Sequence, residues 1–126
     1  MERLFAGLLT QKTKMETLRE KQSRFVFMLS RLIDWAYANG YELTLGDAYR
    51  DPRTHGELGI FKVYGKAFSN HKRRLAIDLN LFKDGKYLGS TEDHRPLGVY
   101  WESFGGAWGG HFNDGNHYAL EHEGRV

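Results

Sequence analysis

The sequence predicts a small α+β fold, a single domain in which helices pack an antiparallel sheet. Two patterns carry that reading. An apolar stripe of helical spacing runs through residues 15–39, and a strict two-residue alternation runs through Leu75, Ile77, Leu79 and Leu81. A third signal, Asp84-Gly85, follows the alternation directly and turns the chain back as a hairpin, which makes the pairing antiparallel.

In chain order, Leu18, Phe25, Leu29, Leu32, Ile33 and Ala36 recur at spacings that share one helix face, and Arg19, Glu20, Lys21, Arg24 and Arg31 fall mostly off it. Asn39-Gly40 supplies a left-handed stop. Tyr41, Leu43 and Leu45 alternate with Glu42 and Thr44, a half-buried strand running toward Arg50. Pro52, Gly56, Gly59 and Gly65 make residues 51–66 a loop with room for one helical turn. The alternation at 75–81 is the strongest strand signal, and Tyr87-Leu88 begins its return. Ser90 and Thr91 can cap a helix containing Leu97, Tyr100, Trp101 and Phe104. Residues 105–110 read as too glycine-rich for a regular element, and residues 117–122 as a short closing strand. No internal repeat is visible.

At 126 residues the chain is read as one domain over 1–126, with an N-terminal helix at about 15–39 and a core at about 43–121. A 40% hydrophobic and 14% aromatic content suffices for a core and argues against disorder. No apolar run approaches the roughly 20 residues needed to span a bilayer. The absence of cysteine excludes disulfides, cysteine-ligated zinc and thiol nucleophiles. Any metal must be held by His and carboxylates. The formal charge of +2 has its two signs interspersed and selects no partner. Residues 1–14 lack the pattern of a secretory signal, so the chain is expected to be made in the cytoplasm without a signal peptide.

Chemistry-bearing residues are best found where a histidine meets a carboxylate. Asp78 lies on the strand face opposite the leucines, and a carboxylate there must be paired, hydrogen-bonded or metal-bound, because burying it bare costs on the order of a few kcal/mol. An ion pair with Arg50, Arg73 or Arg74 is one solution. A metal beside the small Ala76 is the other. Near the C-terminus Asp114 precedes His117 by three residues, either as a plain turn residue of Asn113-Asp114-Gly115 or as a functional carboxylate. A hydrolytic zinc site needs three protein ligands, an open position and a non-ligating carboxylate to take a proton from water. His71, Asp78 and His117 with Asp114 meet that description. His111 and His122 are weaker candidates to compete for the metal.

Ser69-Asn70-His71-Lys72-Arg73-Arg74-Leu75-Ala76-Ile77-Asp78-Leu79 resembles the S-x-H-x-x-G-x-A-x-D-[LIV] motif of the zinc D-alanyl-D-alanine carboxypeptidase family, and Asp114-x-x-His117 resembles its second motif. The nearest branch is that of short phage endolysins cleaving the L-alanyl-D-glutamate bond of peptidoglycan stem peptides. The resemblance covers roughly residues 43–121. It implies the hedgehog-like α+β fold of that family with one zinc per chain on the sheet, His71, Asp78 and His117 as ligands and Asp114 as general base. Arg50, in Asp47-Ala48-Tyr49-Arg50, corresponds to the family's oxyanion-steadying arginine, and a fixed guanidinium suits that task. Ser69 and Trp108 correspond to substrate-side residues, although a loop aromatic folded onto the core describes Trp108 equally well. Arg74 replaces the motif glycine, so the turn before the strand is expected to avoid a glycine-only backbone conformation.

The resemblance implies a peptidoglycan peptidase acting on a stem peptide, with the glycine-rich segment around Trp108 mobile enough to admit it. A monomer without a nucleic-acid partner is expected. The enzyme would reach the wall through a phage-encoded membrane pore or with the virion. Two alternatives from other classes are a metal-dependent nuclease, suggested by His71-Lys72-Arg73-Arg74, and a zinc-containing wall-binding module without turnover.

Overall fold

The computed structural model describes residues 16–46 and 73–126. The expected loop at 51–66 and the site candidates Arg50, Ser69 and His71 lie outside the described residues.

Helix α1 spans Leu18–Ala38 and begins at a capping box. The Glu20 N–H donates to Thr17 Oγ1 at 3.1 Å and the Thr17 N–H donates to Glu20 Oε1 at 3.0 Å, which satisfies two otherwise open donors. Phe25, Met28, Leu32 and Ala36 form its buried stripe. That stripe is narrower than the sequence suggests. Leu18 is exposed, and Leu29 and Ile33 are half-buried, because spacings of three, four and four keep a single row in line with the sheet. Arg24, expected mostly off the stripe, is buried in it. Its guanidinium donates to both Glu16 oxygens at 2.9 Å while its stem packs inward.

The strands are β1 (Tyr41–Leu45), β2 (Ala76–Lys83), β3 (Lys86–Leu88), β4 (Ala107–Trp108) and β5 (His117–Ala119). Among the described residues the sheet order is β1-β2-β5-β4, with β3 also pairing β2, and every pairing is antiparallel. β2 is therefore the hub. Its inward face carries Ile77, Leu79 and Leu81, which pack with Leu75, Tyr118 and Leu120 against the stripe of α1 and against Leu97 and Trp101. Leu97 and Trp101 belong to α2 (Thr91–Ser103), which opens at a second capping box between Ser90 and Asp93. Among the described residues, no helix is long and apolar enough to cross a membrane.

Three expectations are corrected. The closing strand is three residues long rather than six, because beyond Leu120 the chain turns through Glu123 and Gly124, both at positive φ, and His122 bridges back to Arg125. The glycine-rich run is not irregular. It contains β4 and a 3-10 turn at Gly109–Phe112, and its glycines make room for indoles: a Cβ on Gly106 would strike Trp101, and one on Gly110 would strike Trp108. Arg74 does adopt a left-handed backbone of the kind that favours glycine, with φ 59°. A left-handed backbone costs a residue with a Cβ roughly 1–2 kcal/mol.

Beneath β5, His94 Nδ1 and the Tyr118 hydroxyl lie 2.8 Å apart in the core. Burial pushes the His94 imidazole below its ordinary value and holds the Tyr118 phenol protonated.

Two predictions follow from this arrangement. Arg74→Gly should stabilise the fold by up to about 1 kcal/mol in urea titrations, the relief of the left-handed strain being partly offset by a freer unfolded chain, whereas Arg74→Ala should bring no such gain. Because His94 takes a proton less readily folded than unfolded, its contribution is complete above the unfolded value of about 6.5 and declines as pH falls from there toward the lower folded value. The urea midpoint should drop between pH 7.5 and pH 5, and His94→Gln should flatten part of that slope.

Candidate metal centre

Strand pairing brings two of the candidate ligands together. In the β2–β5 register Asp78 stands opposite His117. Leu79 N–H donates to the Asn116 carbonyl and Leu120 N–H to the Leu75 carbonyl, both at 2.9 Å, so the Asp78–His117 pair falls between hydrogen-bonded rungs. At such positions opposed Cα atoms approach to about 4.5 Å and the side chains stand closest. On the far edge of β2, Gly46 N–H donates to the Asp78 carbonyl at 2.7 Å, which holds Asp78 from both sides.

His117 Nδ1 and Asp78 Oδ1 lie 3.3 Å apart. That is long for a charge-assisted hydrogen bond, which runs nearer 2.7–2.9 Å. The Asp78 side chain is 16% and the His117 side chain 8% exposed, so a cation here would sit largely out of water, where a carboxylate attracts it strongly. A histidine nitrogen and a carboxylate oxygen are donors of the kind zinc accepts. Among the described residues no group of three His, Asp or Glu side chains converges, and the expected third ligand, His71, lies outside them.

Asp114 enters through the turn before β5. Its N–H donates to the Gly109 carbonyl at 2.9 Å, and its own carbonyl accepts the His117 N–H at 3.1 Å. This i to i+3 closure ties the position of Asp114 to that of His117. The residue is exposed.

Trp108, expected on the substrate side, is 3% exposed. Its indole N–H donates to the Gly115 carbonyl at 2.7 Å, the Arg95 guanidinium lies 5.4 Å above its ring, and a Cβ on Gly98 of α2 would strike it. Little of the ring is left to meet a ligand. His111 Nε2 pairs with Glu102 at 2.7 Å, and His122 lies 3.3 Å from Lys21 Nζ, so each has a partner elsewhere. Arg73, one of the cations considered for Asp78, reaches Glu123 at 3.3 Å.

Residues 64–120 match the family model described as D-alanyl-D-alanine carboxypeptidase. The matched segment contains His71, Asp78, Trp108, Asp114 and His117, and it covers β2, β3, α2, β4 and β5. Over that segment the chain is similar to this peptidase family. No curated protein gives a significant match.

Sequence reasoning missed the residues that shape the turn. Gly109 is buried against it, and a Cβ there would meet the Asp114 carbonyl and lie 2.8 Å from His117 Cβ. Thr91, read only as a helix-capping residue, reaches the same turn. A buried tryptophan near a glycine was the available signal, because its N–H must find an acceptor. Gly109→Ala should therefore displace the turn at a cost of about 1–3 kcal/mol in urea titrations, with the far-ultraviolet spectrum retained.

Proposed function

We propose that the chain is a zinc-dependent peptidase that hydrolyses a stem-peptide bond of bacterial peptidoglycan, acting as an L-alanyl-D-glutamate endopeptidase of the phage endolysin kind. The observation that carries the reading is the cross-strand Asp78–His117 pair at 3.3 Å, with Asp114 closed onto His117 by the next turn, inside the segment that matches a peptidase family. The choice of bond rests on the resemblance to short phage endolysins.

In this mechanism His71, Asp78 and His117 would hold the metal. Zinc, when bound, supplies a Lewis acid that polarises a carbonyl and acidifies water. Asp114 accepts a proton from the attacking water and delivers it to the departing amine, so one carboxylate serves as base and then as acid. Arg50 donates to the oxygen that gains negative charge, and Ser69 lines the substrate side. Strand β2 keeps Asp78 from rotating away. The enzyme would gain access to the wall through a membrane pore or by delivery with the virion.

The name of the matched family supports a second reading, removal of a terminal D-alanine. One experiment separates the two and tests both. Purified protein is incubated with peptidoglycan, with and without chelator and beside Asp114→Asn, and the new ends are read by mass spectrometry. New L-alanine carboxyl and D-glutamate amino ends support the endopeptidase. Free D-alanine supports the carboxypeptidase. In either case chelator should abolish release, and Asp114→Asn should lower it by about 10²–10⁴-fold with zinc retained. A zinc-loaded protein that makes no new ends would leave a wall-binding module in place of an enzyme.

A further inference from the structure

The Gly115 backbone is gripped at both ends. Its N–H donates to Thr91 Oγ1 at 3.2 Å, and its carbonyl accepts the Trp108 indole N–H at 2.7 Å. Gly115 stands between Asp114 and His117, one residue from the first and two from the second. We propose that Thr91 and Trp108 are positioning residues that set the placement of Asp114 relative to His117 by clamping Gly115 at its N–H and its carbonyl. The proposal rests on the peptidase reading for its consequence in turnover, whereas the clamp itself stands on the geometry.

Thr91 is well suited to the task. The N-cap work of α2 is done by Ser90, whose hydroxyl accepts the Asp93 N–H at 3.0 Å, so the Thr91 hydroxyl is not committed to its own helix. It uses both of its capacities on the turn, accepting from Gly115 and donating to Asn113 Oδ1 at 3.3 Å. Asn113 has a left-handed backbone, φ 60°, a conformation asparagine tolerates better than most residues. Gly115 is buried so closely against the helix that a Cβ would lie 2.6 Å from Thr91 Cα. Backbone contact of that kind fixes the turn to the first residue of α2. Trp108, at the carbonyl of Gly115, is locked by its own packing against α2 and the glycine run. The helix therefore holds the Asp114 turn through Thr91 directly and through Trp108 indirectly. With Trp108 only 3% exposed, its part is to position and not to touch substrate.

The test compares wild type, Thr91→Val, which removes the hydroxyl, Thr91→Ser, which keeps it, and Trp108→Phe. Three quantities are read: amide exchange at Gly115, zinc affinity by chelator competition, and kcat and KM on a soluble muropeptide carrying the L-alanyl-D-glutamate bond. Thr91→Val should speed Gly115 exchange and lower kcat by about ten-fold or more with KM little changed, since misplacing a catalytic group costs rate more than binding. Thr91→Ser should restore both to within about three-fold. Trp108→Phe should resemble Thr91→Val. Unchanged Gly115 exchange and kcat in Thr91→Val, or a loss that Thr91→Ser does not recover, overturns the proposal. If the wild type neither binds zinc nor cleaves the muropeptide, the peptidase reading fails. Gly115 exchange then decides the clamp alone, upheld if protection is lost in Thr91→Val and overturned if it is not.

Discussion

The pairing of β5 with β2 in one register is the contact on which the candidate site depends. It sets Asp78 opposite His117 and sends Ile77 and Tyr118 to the core. Because strand side chains alternate, a slip of one residue would turn His117 toward the helices and Tyr118 toward the site. Three residues of strand offer few ladder hydrogen bonds to prevent that slip. Side chains secure the register instead. Tyr118 is fully buried against Trp101 and meets His94, and the Trp101 indole N–H donates to the Ala119 carbonyl at 2.9 Å.

Helix α2 thus acts as the frame for a strand that could not hold itself. Thr91, His94 and Trp101 each reach β5 or the turn before it, and Gly98 gives Trp108 room to lie against the helix. Two tryptophans donate to two backbone carbonyls, at Gly115 and Ala119, that flank His117. Each bond satisfies an indole N–H that burial would otherwise leave costly, and each fixes a carbonyl of the segment bearing the histidine. The glycine run beside them is packed for the same reason, since the indoles fill the space that side chains would need.

Much of this was legible in residue order because it follows from local periodicity. The alternation through Leu75 to Leu81 marked β2 and put Asp78 on the face away from the core, and Asp84-Gly85 marked the hairpin. Helices α1 and α2 begin and end close to their expected limits, where capping chemistry is written in single residues. The misreadings share a cause. Arg24 is buried because Glu16 meets it, residues 105–110 are ordered because Trp101 and Trp108 lie over them, and Arg74 takes a left-handed backbone despite its Cβ. In each case a tertiary neighbour or the closure of a turn outweighed the residue's own preference.

For this protein the sequence alone determined the α+β class, the central strand, helices α1 and α2 and the types of residue available for a metal, since each depends on spacing along one chain. Only the tertiary structure decided that Asp78 and His117 face each other at 3.3 Å, and that Trp108 lies under the Asp114 turn and Thr91 beside it. Those are relations across 39, 7 and 24 residues of chain. They are set by register and by close packing, and neither leaves a periodic trace in the order of residues.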